Sequence, residues 1–218
     1  MEHENVDCLN HRHMNAEVVV LGTSGSLCGV DMSQFADKIV IGTNDALMVA
    51  KAEHCFVVHY LILVDFGAAQ RALPYLLEHT GVTVVCTNRI AEVLHDGGFR
   101  DPMYVFEYKP LKSIRQKGPF CQANNTAHYA VELAFRLRGP YYGSITLWGV
   151  DLRWPTDEER EAGETDHYWG DAYKDGCREG FKTTLAWFEK TRDVLKRHQV
   201  RLLMMSRWSS PLRDLLQG

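Results

Sequence analysis

Seven short apolar runs, spaced by longer stretches of helical periodicity, constrain this chain more than any other feature. EVVVLG (17–22), KIVIGTN (38–44), HCFVVHY (54–60), VTVVCTN (82–88), MYVFEY (103–108), SITLWGVD (144–151) and VRLLMMS (200–206) read as strands. Most are apolar at successive positions, the pattern of strands covered on both faces. Between them, residues 68–79, 89–97, 125–137 and 180–198 carry helical spacing, and in the last of these Phe181, Leu185, Phe188 and Leu195 share one face. The alternation specifies an α/β fold with a single Rossmann-like, doubly wound and mostly parallel sheet.

Size and charge set the frame. A chain of 218 residues that is 45% hydrophobic suits one core, so residues 14–218 are expected to form one domain behind a flexible polar tail at 1–13. Cys8, His11 and His13 could gather around a metal there, but a fraying tail is the preferred reading. With 24 basic against 28 acidic side chains the formal charge is -4, which does not favour nucleic acid as a partner. The six cysteines show no CxxC spacing, pointing to a reduced, cytoplasmic protein. No stretch approaches the roughly 18 apolar residues of an integral membrane segment, and the N-terminus is unlike a signal peptide. Homo-oligomerisation stays open.

In open α/β sheets ligands bind beyond the carboxyl ends of the strands. The first strand ends in VLGTSGSL, where Gly22 and Gly25 permit close backbone approach and Thr23, Ser24 and Ser26 supply hydroxyls. It is neither GxGxxG nor a P-loop. GTND places Asn44 past the second strand; NNT places Asn125 and Thr126 at a helix start; GVDLRW places Gly149, Val150 and Asp151 past the sixth. A turn or a helix cap would also explain each of these. Their convergence on one sheet edge is what favours a binding site. The longest non-periodic stretch, 153–177, is acidic and aromatic and reads as a lid loop; within it, Asp157, Glu158, Glu159 and Glu161 read as a solvated run before a cation site. Structural roles are expected for His59 and His128.

Taken in order, VLGTSGSL, GTND, NNTAHYAVELAFRL, ITLWGVDLRW, DHYWG and LLMMSRWSSPL resemble the bacterial sialyltransferases of glycosyltransferase family 42. More distantly they resemble the motility accessory factor and 6-hydroxymethylpterin pyrophosphokinase-like proteins that share a nucleotide-binding domain. The resemblance runs from Ala16 to about Leu216. It implies a metal-independent glycosyltransferase that needs no cofactor, with a CMP-activated, sialic-acid-like or related nucleotide-sugar donor and a hydroxyl-bearing acceptor. Gly22 to Leu27 fall on the family's GNGPSL, with Thr23 where an asparagine meets the nucleotide. Asn44 matches an asparagine of the family, Asn125 and Thr126 the pair that holds CMP, and Gly149, Val150 and Asp151 the GID of the nucleoside pocket. His167 in DHYWG matches the general base, a role that suits imidazole chemistry. Arg153 stands where the family has a phosphate-steadying tyrosine, Trp154 follows it into the nucleotide-binding set, and Asn124 replaces an arginine. Two other readings remain: an ATP-dependent diphosphokinase of the pterin type, which would need Mg²⁺ and strand-end carboxylates, and a nucleotide-binding protein without catalysis.

Overall fold

The strands form because their side chains alternate between two separate apolar layers. In β2 (Val18–Leu21), Val18 and Val20 enter one layer while Val19 and Leu21 enter the other. The same split holds for Ile41 against Val40 in β3 (Ile39–Thr43) and for Ile62 against Leu61 and Leu63 in β4 (Tyr60–Leu63). Both faces are covered, and so the runs lack polar alternation. The computed structural model describes residues 3–78, 81–123, 125–153, 155–163, 165 and 180–217, with only the backbone of 180 and 181.

Further strands are β1 (Glu4–Asn5), β5 (Thr83–Cys86), β6 (Met103–Val105), β9 (Gly143–Trp148) and β10 (Val200–Met205). Among the described residues these make a sheet of eight strands in the order β1-β6-β5-β4-β3-β2-β9-β10, every pairing parallel. α1 (Ala46–Glu53), α2 (Phe66–Glu78) and α3 (Asn88–Asp96) cover one face. α4 (Thr126–Arg138), α6 (Gly180–Arg197) and α7 (Pro211–Gln217) cover the other, and a five-residue helix α5 (Asp157–Glu161) lies in the stretch read as a lid. The doubly wound α/β reading holds. On α6, Phe188 and Leu195 are buried as their spacing requires; the side chain of Phe181 lies outside the described residues.

Three expectations need correction. Residues 3–13 are not a loose tail: Glu4–Asn5 pairs with β6, and Val6 and Leu9 are buried in the core. His13 does not turn to a metal there, for its Nε2 hydrogen-bonds the Tyr60 hydroxyl at 2.8 Å. The strand read at 54–60 begins at Tyr60 instead, because α1 runs to Glu53 and His54 closes it in the left-handed conformation, φ 55°. The run at 103–108 divides after Val105, and its last residues form β7 (Tyr108–Lys109), which pairs with β8 (Phe120–Cys121) on an excursion away from the main sheet.

That excursion and the N-terminal segment enclose α4, all of whose residues are buried, charged ones included. Arg136, wholly buried, donates to Asp7 at 3.0 Å, to Glu132 at 2.8 Å and to the carbonyl of Gly118 at 2.8 Å, and stacks on Phe120. Glu132 in turn accepts the N–H groups of Cys121 and Arg115. A buried cation survives only with such partners.

His128, also on α4, is enclosed against Trp187 and Phe188, and its Nε2 meets the Thr191 hydroxyl at 2.7 Å. Burial pushes its pKa down from 6.5 to about 4. Between those values the unfolded chain takes up a proton that the folded one refuses, so this residue's contribution to stability is complete above pH 6.5 and drains away as the pH falls toward 4. The loss amounts to something on the order of 3 kcal/mol. His13 and His59 are lowered by burial too and add to the same slope. Urea unfolding at pH 7 and pH 4.5 should therefore show a smaller acid loss for His128→Gln than for the parent protein; equal losses would contradict the assignment.

Candidate functional site

The sheet order reverses between β2 and β9: β3 to β6 follow on one side, β9 and β10 on the other. Connections leaving such a point in opposite directions open a crevice beyond the strand ends. A cleft of about 560 Å³ lies there, large enough for a small organic ligand.

Its floor is two glycines pressed together. The Gly22 N–H donates to Trp148 O at 2.7 Å and the Ser24 N–H to Gly149 O at 3.1 Å. A Cβ on Gly22 would stand 2.1 Å from Gly149 O, so no other residue fits. Gly149 is also left-handed, φ 64°, and a Cβ there would meet Leu27 at 2.7 Å. Gly22, Thr23, Ser24, Gly149 and Val150 all line the cleft. Gly25 and Ser26 do not, and each has a structural reason for being what it is. A Cβ on Gly25 would fall 2.0 Å from Thr165 O. Ser26 donates to Asp151 Oδ2 at 2.5 Å, while Ser206 donates to Asp151 Oδ1. Asp151, 2% exposed, thus ties together the turns after β2, β9 and β10 while still forming part of the cleft wall.

Asn44 lies opposite in the left-handed conformation, φ 51°, and its side-chain oxygen is buried without a hydrogen-bond donor among the described residues. Leaving such an acceptor unmet costs about 1–3 kcal/mol, so the side chain gains by turning toward a donor, whether an ordered water or a group of a ligand in the cleft that the residue lines. Asn125 Oδ1 accepts the Ala127 N–H at 2.8 Å and caps α4; the cap reading is therefore correct for this oxygen, although the residue also lines the cleft beside Thr126. The N-terminus of α4, with its partial positive charge, accordingly faces the cavity. Behind it Tyr129 accepts from the Ala123 N–H at 3.1 Å and donates to Ala123 O at 2.9 Å. Burial lifts the phenol above its ordinary pKa and keeps it a neutral donor.

Arg153 reaches the cleft with its guanidinium stacked on Trp208, 4.9 Å from the ring centre, and paired to Glu159 at 2.7 Å. His167, Trp154, Asn124 and Asp166 lie outside the described residues. Among the polar lining residues that the sequence reading does not single out are Asp65 and Tyr108. Asp65 Oδ1 accepts the Ala68 N–H at 2.8 Å and so opens α2. Both also border a second cavity of about 580 Å³ that continues along the sheet edge past Asn88 and Arg89.

No protein-family profile matches the chain, and no curated protein sequence does. Solved structures do match, and those of one sialyltransferase show a likeness of fold. One is the sialyltransferase CstII from Campylobacter jejuni in complex with the substrate analogue CMP-3FNeuAc; another is a point variant of CstII in complex with CMP. Each aligns over 92% of this chain and 85% of the other with a TM-score of 0.53 and 13% identity. At that identity the likeness is one of fold.

Asn44 supplies a direct test of the cleft. Asn44→Gly removes the unpaired oxygen and suits a positive φ, so the free protein should melt about 2–4 °C higher while losing affinity for whatever fills the cavity. A lower melting temperature would mean that the oxygen is satisfied in the free protein.

Proposed function

We propose that this protein is a metal-independent glycosyltransferase that takes a CMP-linked or related nucleotide sugar in the switch-point cleft. The observation that carries the proposal is the strand-end cleft lined by Asn44, the α4 N-terminus and Arg153, a combination favourable to one phosphate. The fold shared with a CMP-complexed sialyltransferase supports the same reading. The second cavity offers room for the acceptor, since it shares Val64, Asp65 and Tyr108 with the first.

In the proposed reaction an acceptor hydroxyl attacks the anomeric carbon, its oxygen forming the new glycosidic bond as the bond from that carbon to the phosphate oxygen breaks. The nucleoside monophosphate leaves with the bonding electrons, and the hydroxyl proton passes to His167 as general base. Arg153 offsets the charge that grows on the departing phosphate. The diphosphokinase alternative asks for carboxylates able to hold Mg²⁺. Of those on the cleft wall, Asp151 spends both oxygens on serine hydroxyls and Asp65 caps a helix.

Calorimetry in EDTA should show CMP binding, and Asn44→Ala should weaken it. Binding of ATP with Mg²⁺ alone would transfer the case to the diphosphokinase. For catalysis, His167→Gln should leave CMP affinity nearly unchanged while CMP release from a CMP-sugar in the presence of acceptor falls by roughly 10²- to 10⁴-fold. The acid limb of kcat/KM against pH should disappear with it; an active variant with an unaltered profile would remove His167 from the mechanism.

A further inference from the structure

The acidic run at 157–161 has a specific arrangement in the fold. Thr156 caps α5 by accepting the Glu159 N–H at 3.3 Å, and Glu159 Oε2 returns to the Thr156 N–H at 2.8 Å, completing a capping box. The other carboxylate oxygen, Oε1, takes the hydrogen bond from Arg153. One side chain thus does two things: it closes the helix and grips the arginine. On its other side the guanidinium rests on Trp208, which is buried and whose backbone N–H donates to Ser206 Oγ at 3.0 Å. Ser206 is in turn a donor to Asp151 on the cleft wall. Arg153 is therefore held between the turn after β10 and α5. Among the described residues that line the cleft, it is the cation.

We infer that Glu159 is a positioning residue, whose Oε1 fixes the Arg153 guanidinium on Trp208 as a preformed receptor for a single phosphate of the cleft ligand. This rests on the nucleotide reading of the cleft and adds to it the residue that orients the phosphate contact. An arginine side chain has many rotamers, and one left unheld must be ordered when the anion arrives. Glu159 meets that ordering cost before the ligand binds, which is what preorganisation means. Its own negative charge works against an incoming phosphate, but the side chain is 35% exposed against 18% for Arg153, so water and salt screen the repulsion more than they relax the geometry. Orientation is the larger effect.

The experiment compares cytidine with CMP, the two differing by the phosphate alone, by calorimetry in EDTA at fixed ionic strength. The parent protein should prefer CMP. Arg153→Gln should abolish the preference, and Glu159→Gln, which keeps size and polarity but weakens the grip, should reduce it by about tenfold, the value of one charge-assisted hydrogen bond. Thr156→Ala removes the hydroxyl that caps α5 but keeps the backbone N–H that holds Glu159 Oε2, and so separates positioning from mere helix stability: the preference should persist even though the melting temperature falls. A Glu159→Gln protein that prefers CMP as strongly as the parent, or more strongly, overturns the inference and leaves the nucleotide site standing. So does a Thr156→Ala protein that loses as much preference as Glu159→Gln. If neither cytidine nor CMP binds the parent protein, the nucleotide reading falls and this inference falls with it.

Discussion

Everything at the sheet's carboxyl edge depends on two strand ends that touch without side chains between them. β2 and β9 run in register, Leu21 beside Trp148, and the next residue on each strand is glycine. Because Gly22 has no Cβ, its backbone can lie against Gly149 O, and because Gly149 accepts a positive φ the chain can turn away at once. The crevice opens just there. Any side chain at position 22 would push the strands apart at the point where the cleft wall, the Asp151 bridge and the turn toward Arg153 all begin. Small residues here are a steric requirement before they are a means of binding.

A second constraint lies in α4. A helix that presents its N-terminus to the cavity has to be fixed along its length, and this one is fixed by charge as well as by apolar contact. Arg136 and Glu132 sit inside the protein at the cost of their hydration, and they regain part of it by gathering Asp7, the excursion around Gly118 and the N–H of Cys121. Such a network is weak evidence for extra stability, since a well-packed apolar substitute often does as well. What it does supply is a fixed relation between three segments distant in sequence. One of them carries Tyr108 to the cleft.

The sheet was legible in the sequence where burial is two-sided, as in β2, β3 and β5, because adjacent apolar residues admit no other economical explanation. It was illegible where a segment uses few apolar anchors. Val6 and Leu9 stand among polar neighbours, and nothing local shows that they are buried under a helix and an excursion from elsewhere in the chain. HCFVVHY misled for the opposite reason: Val57 is apolar yet 62% exposed, in a connection that follows a helix cap. The shift of β4 that resulted hid Asp65 at the true strand end. Most of the glycine and asparagine positions proposed for the site do line the cleft, since small residues at strand ends carry a recognisable demand. The partner of Arg153 did not stand out, because an acidic run looks the same in sequence whether it is solvated or closes a helix and holds a cation.

The parallel pairing of β2 also governs the order in which the molecule can be completed. One neighbour, β3, follows directly, but the other is β9: Val18 lies beside Ile145, and most of the chain comes between them. Until that late strand arrives, β2 has an unpaired apolar edge, an exposure that favours association with other chains. Long-range parallel pairings of this kind are slow to form because the intervening loop must be closed first. A chain still emerging from the ribosome can therefore assemble the β3 to β6 side early, yet it has no cleft. The binding site comes into being with the last central pairing, and it reports that the sheet has closed.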